Sequence, residues 1–357
     1  GAESTWYIDY DGDGYGSDAY STIGCEAPSG WVGNDDDCDD ADSEVNPDLI
    51  WYLDSDGDGW GDATVSMTAC EQPSGWVEDD SDCDDSAATS SAGCPWVDIS
   101  AGYYHNCAIR LDDTIQCWGR DTYGEATAPT ATNIVQVACG GNHTCGLQDD
   151  GYVTCWGLGT SLQTSPPSAV MFVDIECGSV NCCGITTWGY VMCWGDDSYG
   201  QSTPAGSTSY DVSTDFSHSC LINSGSTRDI QCWGANGSGQ AVNVLGPYLK
   251  VVTGHEHTCA IDRSTSGIDC WGLNTYGQAS GSTTAHTDLA AGFLHTCAVE
   301  SSAGAINCWG YNSAGQSSPP SGAYTAVTAG WYHSCAIADD GTLACWGDDT
   351  YGQSTPP

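Results

Sequence analysis

The segment Cys335-Ala336-Ile337-Ala338-Asp339-Asp340-Gly341-Thr342-Leu343-Ala344-Cys345-Trp346-Gly347 decides the fold. Asp340-Gly341 lies between two short alternating runs, the sequence form of a β-hairpin with a tight turn. Pairing outward from the turn sets Ile337 opposite Leu343, Ala336 opposite Ala344 and Cys335 opposite Cys345. Directly opposed antiparallel residues lie about 4.5 to 5.5 Å apart at Cα, within reach of a disulfide. The hairpin is therefore expected to carry its own staple.

The same unit occurs seven times at intervals of 37 to 39 residues. The cysteine pairs are Cys107 and Cys117, Cys145 and Cys155, Cys183 and Cys193, Cys220 and Cys232, Cys259 and Cys270, Cys297 and Cys308, and Cys335 and Cys345. Six copies place a histidine two residues before the first cysteine, and the third has Asn181 there. The hairpin register fits the first copy too, with Ala108 opposite Gln116 and Ile109 opposite Ile115. Such a unit cannot bury its apolar face alone, so the period predicts a solenoid, a propeller or an array. A further short strand, such as Val97-Asp98-Ile99 or Val135-Gln136-Val137, precedes each histidine, and an edge segment such as Tyr199 to Pro204 follows. Because strand neighbours face opposite ways, the tryptophan is expected against the next blade and the disulfide against the previous one. Closing seven sheets into a ring removes exposed edges, and the C-terminal run Tyr351 to Thr355 is expected to close it on the first blade near Val97.

The run Ala291-Gly292-Phe293-Leu294-His295-Thr296-Cys297-Ala298, followed by Cys308-Trp309-Gly310-Tyr311-Asn312-Ser313-Ala314-Gly315-Gln316, resembles the short bacterial form of the regulator of chromosome condensation repeat. The resemblance spans nearly all of residues 94–357 and implies a seven-bladed, all-β propeller. Members of that family range from a nuclear exchange factor to a secreted β-lactamase-binding protein, so the fold does not assign a role.

Composition narrows the role. There are 48 acidic residues against 5 Lys plus Arg, a formal charge of −43, which argues against nucleic acid or an anionic membrane as partner. The 22 cysteines read as a disulfide framework made in an oxidising compartment, so secretion and an extracellular or cell-surface location are expected. Gly1 reads as a processed terminus. No run of 18 apolar residues is present to span a membrane.

Residues 1–93 hold 25 of the acids and no Lys or Arg, which puts a domain boundary near Cys94. This part repeats with a period of 45 residues, giving acidic modules at 1–48 and 49–93. Each opens with alternating aspartates and a glycine, Asp9-x-Asp11-x-Asp13-Gly14 and Asp54-x-Asp56-x-Asp58-Gly59. Oxygen ligands at positions 1, 3 and 5, a turn glycine at 6 and a carbonyl at 7, from Tyr15 or Trp60, form the first half of a Ca²⁺ loop. Position 12 is Tyr20 or Val65, so further ligands are expected from Asp35, Asp37, Asp39 and Asp40, and from Asp80, Asp82, Asp84 and Asp85. Pairs Cys25 with Cys38 and Cys70 with Cys83 would fold those clusters back. No histidine lies in 1–93, which favours calcium over zinc or copper. The modules resemble thrombospondin type 3 and dockerin calcium loops, and the Asp-rich two-cysteine metal-binding repeat of secreted bacterial surface proteins.

The repeated histidines are expected to be structural, each ring satisfying a backbone group of its blade. Cys94, Cys139, Cys177 and Cys182 remain after these pairs, and Cys139 with Cys177 would link two inner strands. No catalytic motif appears, so the sequence is read as non-enzymatic. The expected role is a calcium-stabilised structural protein, docking head to tail with other copies as a surface filament. The alternative is a monomeric binder of a secreted or surface protein through Tyr103, Tyr104, Trp331 and Tyr332. Sequons at Asn142 and Asn236 leave room for glycans.

Overall fold

A computed structural model describes residues 3–43, 45–57, 59–80, 82–83, 94–130, 133–204 and 206–357. The chain divides into two compact units, Gly1–Cys94 and Pro95–Pro357. Among the described residues there is no helix, and so none long and apolar enough to cross a membrane.

In the first unit each module is a three-stranded antiparallel sheet. The strands are β1 (Ser4–Ile8), β2 (Ser21–Gly24) and β3 (Trp31–Val32), then β4 (Ile50–Leu53), β5 (Asp62–Thr68) and β6 (Trp76–Val77), with the first strand central in each. The repeated tryptophans frame them equivalently: the Trp6 indole donates to the Gly24 carbonyl at 3.2 Å and Trp51 to Ala69 at 2.8 Å.

The disulfides of this unit differ from the expected intramodule pairs. Cys38 is bonded to Cys70 and Cys83 to Cys94, which leaves Cys25 free and exposed. The second cysteine of the first module reaches forward to the first cysteine of the second and ties the two modules, while Cys83 bonds Cys94 within the same unit. Equal spacing within a module could not reveal this, because sequence spacing does not say which cysteines meet in space.

The second unit holds seven three-stranded antiparallel sheets. Their inner strands are β7 (Trp96–Ala101), β10 (Ile134–Cys139), β13 (Phe172–Cys177), β16 (Ser209–Thr214), β19 (Tyr248–Thr253), β22 (His286–Ala291) and β25 (Tyr324–Ala329). The middle strands begin at each histidine or Asn181, and the outer strands end in Cys-Trp-Gly. Registers are as expected, with Cys335 opposite Cys345 and Ile337 opposite Leu343, and Cys107 opposite Cys117. All seven hairpins are stapled, at Cα separations of 4.0 to 4.1 Å. The closing glycine of Cys-Trp-Gly has φ between 92° and 108° in every blade, a left-handed conformation costly for other residues.

The packing sense is the reverse of that expected. Trp118 packs on Cys335 and Ile337 of the seventh blade, whereas Cys107 packs on Ile134 and Val137 of the second. The alternation was right, but strand periodicity carries no information about which face looks forward round the ring. The Tyr199-type segments are turns and not fourth strands.

A repeated hydrogen-bond device joins blades. The carbonyl of a buried residue in the connecting loop accepts twice from the next blade: Gln240 from the Thr258 hydroxyl at 2.9 Å and the Trp271 indole at 2.8 Å. That hydroxyl accepts in turn from His218 Nε2 at 2.8 Å. Since the Thr258 proton is committed to the carbonyl, His218 must donate, and it is the Nε2–H tautomer. His105, His257 and His295 repeat the contact with Thr144, Thr296 and Ser334. His143 meets Cys182, and Asn181 donates to Thr214. The histidines are thus structural, but their partners are side chains of the next blade and not backbone groups. The ring closes in the same way: Gln353 accepts from Asn106 at 2.8 Å and Trp118 at 3.1 Å, while His333 meets Asn106. The C-terminal run therefore docks on Trp118 through a turn, and does not pair as a strand beside Val97.

Candidate functional site

The first module brings part of its acidic set together. Asp9 Oδ1 accepts from the Gly12 amide at 2.8 Å, Asp11 Oδ1 from Asp13 at 3.3 Å, and Asp13 Oδ1 from Tyr15 at 2.8 Å. These bonds wind the loop so that one oxygen of each aspartate lies within 4.8 Å of the others. The Asp37 amide donates to the Gly16 carbonyl at 3.2 Å, which brings the distal cluster onto the loop. A Cβ at Gly16 would lie 2.7 Å from both the Asn34 carbonyl and the Tyr7 Cβ, so glycine is needed for this approach. Asp11 Oδ2, Asp13 Oδ2, Asp37 Oδ2 and Asp40 Oδ1 are buried without a hydrogen-bond donor. Desolvation, followed by Asp40 and Asp13 beside it, holds the Asp37 carboxyl above its usual pKa.

Other expected ligands are placed differently. Asp35 is exposed and lies against the Tyr7 phenol, and Asp39 Oδ1 accepts from the Ala41 amide at 3.2 Å. The Tyr15 hydroxyl donates to Asp48 at 2.7 Å. In the second module Asp54 accepts from Gly57 at 2.7 Å and the Asp82 amide donates to Gly61 at 3.2 Å, while Asp80 is exposed. Asp56 and Trp60 lie in this loop and both have partners of their own. Asp58, Asp84 and Asp85 lie outside the described residues. Asn34 was missed by sequence reasoning: its amide braces the loop, accepting from Gly16 at 3.1 Å and donating to Gly14 at 3.2 Å.

The expected bridge between Cys139 and Cys177 does not form. Cys177 is bonded to Cys182, directly opposite across its own hairpin, and Cys139 is free and buried facing Thr144. His143, Cys145, Cys177 and Cys182 converge, but three of the four sulfur and nitrogen donors belong to disulfide cysteines. A metal there would have no thiolate to bind.

The second candidate is the propeller channel, a cavity of about 950 Å³ bounded by the inner strands. The third residue of each inner strand, in blade order, is Asp98, Gln136, Asp174, Asp211, Lys250, Asp288 and Ala326. Several stitch to the next blade: Asp98 accepts from the Val137 amide at 2.8 Å, Asp211 from Val251 at 2.7 Å, and Asp288 from Val327 at 2.8 Å. Lys250 is paired with Asp288. Two residues on, hydroxyls repeat the stitch, with Ser100 accepting from the Cys139 amide at 2.9 Å and Ser213 from Thr253 at 3.0 Å. Blade three has Glu176 at this level.

Burial is the main cause of the unusual acidities here. It raises Asp98 to about 6, Asp211 and Asp215 to about 7 and Glu176 to about 8, with Asp174 adding repulsion at Asp98, Asp211 and Glu176. Burial opposes the Lys250 charge, but Asp288, Asp211 and Glu176 together hold its pKa above normal. One end of the channel is roofed by Tyr103, Phe293 and Trp331. Their centroids lie 4.2 Å (Tyr103 to Trp331) and 5.0 Å (Phe293 to Trp331) apart, and Trp331 stacks on Tyr332. The aromatic residues considered as a binding face thus pack largely on one another.

Five segments, 96–125, 134–163, 172–201, 287–316 and 324–353, match the regulator of chromosome condensation (RCC1) repeat. Among curated proteins, none matches the chain. The fold is similar to the CRINKLY WD40 ectodomain of the Arabidopsis thaliana receptor kinase ACR4, with TM-score 0.62 and 19% identity over 74% of this chain and 99% of that one. It is also similar to the ectodomain of the Physcomitrella patens receptor kinase CR4 (TM-score 0.61, 21% identity, 71% and 74% covered) and to human WBSCR16 (0.61, 15%, 70% and 87%). Residues 95–357 form a seven-bladed β-propeller, five of whose blades match the RCC1 repeat.

Proposed function

We propose that this is an extracellular, non-enzymatic protein in which calcium braces the acidic modules and the stapled propeller serves a structural or protein-binding role. The observation that carries the calcium reading is the set of four donorless, inward carboxylate oxygens on Asp11, Asp13, Asp37 and Asp40. Buried like charges without donors are costly, and a hard divalent cation is the partner that suits several carboxylates at one point. Asp9, Asp11, Asp13, Asp37 and Asp40 would hold the ion in the first module. Ten disulfides and the likeness to receptor ectodomains support an extracellular location.

Head-to-tail filaments are the self-assembling form of this reading. Both units are acidic, so a contact between them in different copies needs cations to offset repulsion. Calcium titration of the full chain, read by calorimetry and thermal unfolding, tests the brace: no uptake, or an unchanged melting temperature, refutes it. Negative-stain microscopy with and without chelator tests assembly, and discrete particles in both conditions exclude the filament.

A further inference from the structure

The channel carries an inference that the acidic arm does not. Its lower levels form a funnel. At the open end the second residues of four successive inner strands, Val97, Val135, Val173 and Tyr210, are 52%, 46%, 60% and 51% exposed, an apolar rim on blades one to four. A shallower depression of about 590 Å³ lies on this rim and reaches Asp98 and Asp174. One residue inward is the carboxylate belt, and two residues further in is Glu176. At about 3.3 Å per residue, Glu176 lies about 10 Å below the rim.

Glu176 is the anomaly. Where Ser100, Ser213 and Thr328 accept an amide of the next blade, its longer side chain makes no such stitch and lies in the channel. Glu176 is half-buried on the channel wall, its carboxylate makes no hydrogen bond, and the charges acting on it are Asp174, Asp211 and Asp98, which repel it, and Lys250, which attracts it. A carboxylate without a donor, set among other acids, favours a cation entering the funnel. A metal ion fits poorly, since no three of the channel carboxylates offer oxygens within 4.8 Å of one another. A long side chain that passes the belt and ends at Glu176 matches the spacing. The chain itself has no spare group of this kind beyond Arg263: Arg110 lies over Trp96, Arg228 over Tyr210, Arg120 pairs with Glu125 and Lys250 with Asp288.

We propose that the channel is a binding site for an arginine or lysine side chain presented on a loop of another protein. The cationic tip meets Glu176 and the flanking apolar residues rest on Val97, Val135, Val173 and Tyr210. This names the partner chemistry for the protein-binding reading above and rests on it.

The test is calorimetric titration of the calcium-loaded full chain with the capped peptide Val-Gly-Arg-Gly-Val, its lysine analogue and its neutral citrulline analogue, in 0.3 M salt to screen surface charge. The expected result is one-to-one binding of the arginine or lysine peptide, at least tenfold tighter than the citrulline peptide. Binding should weaken at least tenfold in Glu176→Gln and be unchanged in Asp339→Asn, which removes an exposed charge. Glu176→Gln should melt no lower than the parent, because the Glu176 side chain makes no hydrogen bond that the change would remove. Equal binding of all three peptides, equal loss in both variants, or no binding overturns the proposal. Melting temperatures with and without chelator, taken on the same samples, report the calcium brace separately.

Discussion

Acidification should destabilise the propeller despite the buried carboxylates that oppose it. Burial lowers His105, His143, His218, His257 and His295 from 6.5 to about 3 and His333 to about 4. A folded pKa below the unfolded one means that stability is complete above pH 6.5 and is lost as the pH falls toward 3. Between pH 6.5 and 4.5 each histidine costs about 2.3 kcal/mol, or roughly 14 kcal/mol for the six. The carboxylates run the other way. Asp98, Asp211, Asp215 and Glu176 have raised folded pKa values, so their contribution is complete below about pH 4 and is lost as the pH rises through 6 to 8. Over the same interval they return at most about 9 kcal/mol, an upper bound because the channel opens to solvent. Asp174, raised in the same way, adds to that return, but six histidines against five carboxylates leave a net loss of stability as the pH falls from 6.5 to 4.5. Urea unfolding at pH 4.5, 6.5 and 8.5, followed by tryptophan fluorescence, measures this as shifts in midpoint. Stability that is flat or rising between pH 6.5 and 4.5 would refute the neutral, Nε2-protonated assignment.

Thr258→Val removes the acceptor of His218 Nε2–H and should cost about 1 to 3 kcal/mol in urea unfolding, whereas Thr258→Ser should recover most of it. Deleting residues 351–357 takes the Gln353 carbonyl from Asn106 and Trp118, two buried donors. The loss should be about 2 kcal/mol or more, with faster proteolysis near the first blade. Native alkylation with iodoacetamide, mapped by mass spectrometry, should modify the exposed Cys25 and spare Cys139, whose thiol burial raises to about 12.

The blades were legible because hairpin register and disulfide geometry are local: Cys335 opposite Cys345 follows from turn chemistry alone. Closure by a ring was legible from the period. The sense of packing, the forward links Cys38 to Cys70 and Cys83 to Cys94, and the Cys177 to Cys182 bond were not. Each depends on which of several equally spaced partners is nearest in space, a choice that periodicity leaves degenerate. The Asp-x-Asp-x-Asp segment was read as the first half of a calcium loop, and its turn is wound on the carboxylates of Asp9, Asp11 and Asp13. Its distal partners narrowed to Asp37 and Asp40, because Asp35 faces Tyr7 and Asp39 caps its own turn. The channel belt had a signal that went unused, the polar residue third in six of the seven inner strands.

Departures from the repeat concentrate in blade three, and they are coupled. Asn181 replaces the histidine, Cys182 stands where the other blades have a Thr, Ser or Asn that bonds the loop carbonyl, and Glu176 stands where blades one, four and seven have a hydroxyl stitch. Gln163 accordingly accepts from Trp194 but from no threonine or serine of that blade. Glu176 lies on the inner strand and Asn181 and Cys182 on the middle strand paired with it, and this pair carries a second disulfide, Cys177 to Cys182, joining the end of one to the start of the other. That bond closes a loop of sequence separation 5, too short to restrain the unfolded chain strongly by loop entropy. Its effect is local: it holds the strand end in place one residue from Glu176. A repeat that gives up ordinary links and adds a covalent one beside a carboxyl group without a hydrogen-bond donor is trading uniform stability for a fixed position of that group in the channel, which is what a recognition site requires.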